Sequence, residues 1–368
     1  MTMSVVFEPA TDAHDAGLRR LIAANAMDGE VSLAFAREPS YFLASAVQAP
    51  FHQVVVGRDA ESGELVGVGT RAVRPGYVNG DVAPVGYLAD LRLAPRYRGR
   101  TVVGRAYRHL AELHRDGRAR LYFTMIAEGN RHALSILASG RAGLPPYRDL
   151  GRFLSPAVNL RGRKPPVDWG GEIVRGRPEM LGEIVACLRR NLARRQLAPV
   201  YSEAAFGSPW LRGLRVEDLY VARRGGRVAG VVAAWDQRAF KQTVIRAYGR
   251  RLALARPFYN AAARLFGRPR YPPAGEALRS FYASLVAVDD DAPLVFRALL
   301  RALYNDHVGG AYHYFVLGLH ERDPLVGALD DYTLTPFAGR LFVVHFADGE
   351  EDWRRLDGRV PYVELAML

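Results

Sequence analysis

Between Arg92 and Arg120 the chain carries nine arginines against two acids, Glu112 and Asp116, a net +7 over that stretch. Three of them, Arg96, Arg98 and Arg100, crowd a short segment that also holds Pro95 and Gly99. Guanidinium groups give charge-assisted, often bidentate hydrogen bonds to phosphate and carboxylate oxygens. A glycine among them lets backbone approach such an anion closely. Val85 to Leu93, before Pro95, reads as a strand, and Thr101 to His114 as a helix with apolar residues at helical spacing. A strand feeding a helix leaves the first helical N–H groups unpaired and pointing one way. The helix dipole adds partial positive charge at the same place. The junction has the chemistry of a pyrophosphate site. The competing reading is a solvated arginine face on an ordinary strand-to-helix turn. Arginine supplies nearly all the positive charge of this chain, and lysine occurs only at Lys164 and Lys241.

Other reactive residue types are scattered. The single cysteine, Cys187, permits no internal disulfide and no cysteine-based zinc site. No His-Glu-x-x-His, P-loop or Gly-x-Ser-x-Gly pattern is present. No metal is expected. His109 and His114 fall on the arginine-rich helix, His132 on a short later helix, and His313 and His320 on or just after one strand. His313 and His320 have no carboxylate at a spacing that suggests a metal. Trp235-Asp-Gln-Arg-Ala-Phe-Lys-Gln242 leaves a strand with enough functional groups to line a substrate pocket facing the first half. Its bland alternative is a strand end with solvated charges.

The elements that position these residues repeat. The 368 residues, 49% hydrophobic with a formal net charge of +12, suffice for two globular domains. In the first half a short strand at Val5 to Glu8 precedes a helix from Asp12 and a second helix over Pro39 to Val47. Strands follow at His52–Gly57, Glu64–Val73 and Val85–Leu93. After the arginine-rich helix come a strand at Leu121–Ile126, a short helix at Asn130–Ser139 and a strand at Arg152–Leu160. Arg161-Gly-Arg-Lys-Pro-Pro166 reads as a linker. Beyond it the same order begins again, which predicts a domain over 1–160, a linker over 161–170 and a second domain over 171–368. The second half has an extra alanine- and arginine-rich segment, Val244 to Phe266, read as an inserted helix, and a terminal strand is expected at Pro361 to Leu368.

Tyr87-Leu-Ala-Asp-Leu-Arg-Leu-Ala-Pro-Arg-Tyr-Arg-Gly-Arg-Thr101 resembles motif A of the GNAT acyltransferases. The resemblance covers most of residues 1–160 by element order. It implies an α/β fold of two tandem domains, each a mixed, mostly antiparallel sheet flanked by helices. It also implies that acetyl-coenzyme A, or a longer acyl-coenzyme A, lies over residues 98–104 as co-substrate. Leu91, Arg92 and Leu93 would meet the pantetheine arm and thioester. Arg98, Gly99, Arg100, Thr101, Val102, Val103 and Gly104 would meet the phosphates. Asn130 would lie beside the thiol end. The pattern departs in places. Thr101 and Val103 stand where small residues are usual, and Gly104 comes one position late; Thr101 is expected to cap the helix. The family's frequent glutamate base is replaced by Ala89, beside Asp90. Ile136 and Leu137 replace a frequent tyrosine. Asp90 and His132 are the remaining catalytic candidates. Strand alternation sets Asp90 on the face opposite Ala89, away from the missing carboxylate.

The second copy of the motif is Leu285-Val-Ala-Val-Asp-Asp-Asp-Ala-Pro-Leu294. Three acids and no glycine would repel a pyrophosphate, so this copy is expected to keep the scaffold without the site. The implied function is transfer of an acyl group to an amine on a small molecule or peptide. The alternative is a catalytically silent ligand-binding or regulatory protein of the same fold. Nucleic-acid binding ranks last, because only Tyr97 and Tyr107 interleave the basic stretch. No window approaches the ~18 apolar residues of a membrane span, and no signal peptide is seen, so a cytoplasmic protein with no membrane partner is expected. A homo-oligomer is compatible with the sequence.

Overall fold

The computed structural model describes residues 5–25, 30–98, 100–140, 143–265 and 270–368. Its first half runs β1 (Val5–Pro9), α1 (Asp15–Ala24), β2 (Val31–Ala36), α2 (Tyr41–Ser45), β3 (Phe51–Asp59), β4 (Leu65–Val78), β5 (Asp81–Leu93), α3 (Arg100–His114), β6 (Leu121–Ala127), α4 (Arg131–Leu137), β7 (Tyr147–Leu154) and β8 (Ala157–Asn159). The second half runs β9 (Glu172–Arg175), α5 (Leu181–Leu192), β10 (Leu219–Arg224), β11 (Arg227–Trp235), β12 (Gln242–Tyr248), α6 (Arg250–Leu265), β13 (Ser280–Val288), α7 (Pro293–His307), β14 (Tyr314–Leu317), β15 (Leu319–His320), β16 (Leu334–Thr335), β17 (Ala338–His345) and α8 (Glu350–Arg354).

Two sheets carry the molecule, with orders β1-β3-β4-β5-β6-β17-β7-β15 and β16-β8-β14-β13-β11-β10-β9. Parallel neighbours occur once in each, β5 beside β6 and β13 beside β14. The other ladders are antiparallel, so this is the mixed, mostly antiparallel α/β architecture the resemblance implied. Apolar faces of α5 and α7, with Ile184, Leu188, Phe296, Leu299 and Leu303 fully buried, close over the second sheet.

The sheets do not respect the expected division at 161–170. Counted from β1 and from β9, each takes its first five strands from one half and its sixth from the other. β17 enters the first sheet between β6 and β7, and β8 enters the second between β14 and β16. The hinge of this exchange is Ser155-Pro156. A single strand was expected over Arg152–Leu160, but Pro156 has no N–H for a ladder. The chain leaves the first sheet at Leu154 and joins the second at Ala157. At the crossing, the Ser155 N–H donates to the Phe337 carbonyl at 2.8 Å, just ahead of β17.

Three further expectations need correction. The segment from Val244 is strand before it is helix: β12 pairs with the unforeseen β2 in a separate ribbon, and α6 begins only at Arg250. Phe266 lies outside the described residues. The tail from Pro361 is not a strand; it makes one bridge, Gln196 to Pro361, and ends in a 3-10 turn at Leu365–Met367. Finally, β5 does not alternate regularly. Asp90 has φ +54°, in the left-handed region, and the register with β4 slips between Thr70–Ala89 and Val68–Arg92. A bulge of this kind redirects the side chains beyond it.

Candidate functional site

The bulge sits where β5 parts from β6. Their parallel pairing ends at Tyr87–Phe123, and the Thr124 hydroxyl donates to the Leu88 carbonyl at 2.9 Å just past the fork. Leu91 to Leu93 therefore run on without a ladder partner on the β6 side. Below the fork, Leu91, Leu93, Val102, Val103, Ile126 and Leu137 join one apolar cluster. The structure thus brings the motif strand, the first turn of α3 and α4 together.

At the head of α3 the roles differ from the expectation. Gly99 lies outside the described residues, as does the side chain of Arg100. Thr101 is exposed inside the first turn, so it does not cap the helix. Val102 and Val103 are 5% and 6% exposed and turn into the core, so Val103 leaves the turn's outer side uncrowded. Arg96 pairs with Glu64 and lies over the Tyr97 ring. Arg98 donates to the Leu93 carbonyl at 3.2 Å and to Asn25 Oδ1 at 2.7 Å, tying the loop to the end of α1. Arg92 donates to the Leu91 carbonyl at 3.0 Å. Gly104 is half-buried on α3. Asn130 caps α4 through the Ala133 N–H at 3.0 Å. His132 is exposed, and no hydrogen bond or ion pair joins it to Asp90.

Asp90 turns the other way, into the interior. Arg37 Nη2 donates to both of its oxygens at 2.8 and 3.0 Å, Gln48 Nε2 donates at 3.0 Å, and the Tyr41 hydroxyl donates at 3.2 Å. Burial alone would raise the Asp90 carboxyl, but Arg37, Arg92 and Gln48 outweigh it and hold the group below the usual carboxylate range. A carboxylate held ionised in this way is a weak base. Lys241 lies near the same group; burial first, then Arg37, brings its ammonium down to about 7. Its Nζ donates to the Ala366 carbonyl at 3.1 Å and to the Leu368 carbonyl. Arg37, Tyr41 and Gln48 are not marked by any sequence pattern, whereas Lys241 belongs to the Trp235–Gln242 segment. Lys241 carries a further signal, being one of two lysines in a chain whose other cationic residues are arginines.

Solved structures share this fold. Saccharomyces cerevisiae N-myristoyltransferase with bound myristoyl-CoA matches with TM-score 0.60 at 11% identity, over 94% of this chain and 83% of that one. The GCN5-related glucosamine N-acetyltransferase region of a fungal multi-domain GH3 β-N-acetylglucosaminidase matches with TM-score 0.61 at 13% identity, over 93% of this chain and 38% of that one. A GCN5-related N-acetyltransferase from Sphaerobacter thermophilus matches with TM-score 0.54 at 13% identity, over 93% and 95%. The chain has the GNAT fold. No family model matches it, and no curated protein matches it by sequence. At such identities the likeness is one of fold.

The second copy of the GNAT scaffold repeats the bulge and then fills it. Leu285 has φ +52°, and the register of β13 slips opposite β11 as that of β5 does opposite β4. Here the freed amides are taken. The Leu285 N–H donates to Glu364 Oε2 at 2.8 Å, and the Val286 N–H to the Tyr362 hydroxyl at 3.2 Å. The acidic loop is occupied as well. Asp289 accepts from Arg190 and Asn191, each at 2.8 Å, and Asp291 from Arg194 at 2.8 Å and Arg195 at 2.7 Å. Cys187, buried on α5 with Arg190 and Asn191, has its thiol pushed up to about 11 by burial, which removes it as a nucleophile.

A cavity of about 470 Å³ lies on the far face of α2, lined by Pro39 and Leu43 from the first half and by Arg212, Asp236, Phe240 and Tyr312 from the second. The segment Trp235–Gln242 thus divides. Asp236, Ala239 and Phe240 face the cavity, and Lys241 lies buried by Asp90's cluster. Gln242 exchanges two hydrogen bonds with the Glu38 backbone, at 3.0 and 2.9 Å.

Proposed function

We propose that this chain transfers an acetyl or longer acyl group from acyl-coenzyme A to an amine, at the fork of β5 and β6. The observation that carries this reading is the contrast between the two copies. In the second, the chain's own Glu364, Tyr362 and arginine–aspartate pairs occupy the bulge and the loop. In the first, among the described residues no side chain is bonded to the amides of Leu91 to Leu93, and the start of α3 carries arginines in place of acids. The residues present fit an acyl-coenzyme A. Leu91, Leu93 and the α4 cluster offer an apolar wall for the pantetheine. The first N–H groups of a helix have no partner within it, so the start of α3, with Arg98 near it, suits phosphates. N–H groups at the bulge would polarise the thioester carbonyl. The amine nitrogen would then bond to the carbonyl carbon, the carbon–sulfur bond would break, and the thiolate would take the proton the nitrogen releases.

The test is turnover: free thiol release from acetyl- and longer acyl-coenzyme A, measured against a panel of small amines and amino-terminal peptides. Amine-dependent thiol release supports the reading, and its loss in Thr101→Glu ties it to this site. A second reading has its own observation. Asp90 is clamped by Arg37, and His132 is exposed with no carboxylate partner among the described residues, so neither is placed as a general base. Binding of acyl-coenzyme A without turnover on any amine would favour a silent binding protein.

A further inference from the structure

The ribbon of β2 and β12 is rooted at the Asp90 cluster, since β2 ends beside Arg37 and β12 begins beside Lys241. It carries α6. Ala263 is the only buried residue of that helix. Ala263, Arg256 and Asn260 make its inward face: Arg256 Nε donates to the Tyr271 carbonyl at 3.2 Å, and Asn260 Nδ2 to the same oxygen at 3.0 Å. On the opposite face Leu254, Phe258 and Leu265 are 76%, 79% and 84% exposed. Spacings of four and seven residues set them in one row. Single exposed apolar residues are ordinary, but a row of large ones on one helix is not.

The charge of the segment that carries the row is one-sided. From Lys241 to Gly275 the sequence has eight cations and no acid. Arg250, Arg251 and Arg264 flank the apolar row by helical position, are exposed, and are in no ion pair among the described residues. A polar protein partner or a second copy would be expected to offset such a row with acids. An anionic lipid surface satisfies both features at once: the apolar side chains enter the acyl boundary while the guanidiniums meet headgroup phosphates. We propose that α6 is an interfacial helix that docks the protein on an anionic phospholipid surface. This differs from spanning a membrane, and among the described residues no helix is long and apolar enough to do so. The inference is independent of acyl transfer.

The test is co-sedimentation of the full chain with vesicles of phosphatidylcholine alone and of phosphatidylcholine with phosphatidylglycerol, at about physiological salt. The wild type should pellet with the anionic vesicles and at least about tenfold less with the neutral ones. Leu254→Glu/Phe258→Glu should abolish pelleting, and Arg250→Glu/Arg251→Glu should weaken it roughly tenfold or more. Both pairs are exposed, so the thermal midpoint should not move. Wild type that stays in the supernatant with both vesicles overturns the proposal, as does either variant pelleting like wild type. A dimer that Leu254→Glu/Phe258→Glu converts to monomer, with no vesicle binding, would instead make the row a contact between copies.

Discussion

Asp90 is bound by side chains from Arg37, Tyr41 and Gln48, which lie 42 to 53 residues before it in the chain. With side-chain exposures of 4% for Arg37 and 10% for Asp90, the pair is shielded from solvent. Removing one partner leaves the other charge buried alone. Arg37→Ala should therefore cost about 3–5 kcal/mol in urea unfolding, and Arg37→Ala/Asp90→Ala should recover part of that. A single-variant cost below ~1 kcal/mol would contradict the assignment. His320 gives a pH-dependent case. Its Nδ1 accepts the Arg322 N–H at 3.1 Å, so its Nε2–H donates to the Leu150 carbonyl at 2.8 Å. That is the neutral ring, and burial lowers its tendency to protonate. Burial likewise lowers His52, His307 and His313. A histidine whose folded pKa is depressed contributes stability above its unfolded pKa, about 6.5, and loses it as pH falls through the folded value. Unfolding free energy should thus drop between pH 7 and 5, and drop less in His320→Gln. At this scale the sequence was a poor guide. Alternation is the default for a strand, and nothing in Ala89-Asp90-Leu91 announces a left-handed residue. Partners some 50 residues apart leave no local pattern.

At the scale of elements the strand–loop–helix junction was legible, because its signals are local: apolar strand, proline, glycine and then a helical period. The acidic triplet of the second copy was legible too, as a loop unsuited to phosphate. What it does instead was not, because its partners Arg190 on α5 and Arg194 and Arg195 just after it lie about a hundred residues earlier. The tail was misread as a strand for a related reason. Its alternating residues suit one, but Glu364 and Tyr362 find the free amides of the β13 bulge. Burial raises the Glu364 carboxyl while the Leu285 N–H and the Tyr362 hydroxyl act against that. Glu364→Ala would strand a buried N–H and should cost about 1–3 kcal/mol. Glu364→Gln keeps an acceptor oxygen and should cost less. Equal costs for the two variants would mean that packing, not the hydrogen bond, holds the tail in the groove.

For the whole molecule, the exchange of β8 and β17 joins the halves more tightly than a linker would. Repetition of element order was readable from the sequence, but which sheet a strand enters depends on the partner it finds, and Pro156 marked only a break. Residues 1–160 expressed alone would lack β17 between β6 and β7, and residues 161–368 would lack β8 between β14 and β16. Each fragment should aggregate alone, and the two should form a soluble complex when co-expressed; a monomeric, cooperatively melting fragment would contradict the exchange. The asymmetry between the copies has its own whole-molecule consequence, since among the described residues the chain's own side chains bond the bulge amides of the second copy and not those of Leu91 to Leu93 in the first. Titrating acetyl-coenzyme A calorimetrically into the full chain and into Thr101→Glu tests this most directly. Glutamate in the first turn suits the helix dipole, so the fold should be kept or slightly stabilised while phosphate is repelled. One site per chain, weakened roughly tenfold or more in Thr101→Glu with an unchanged or raised thermal midpoint, is the predicted result. Two sites per chain, no binding, or an affinity that Thr101→Glu leaves unchanged would contradict the account.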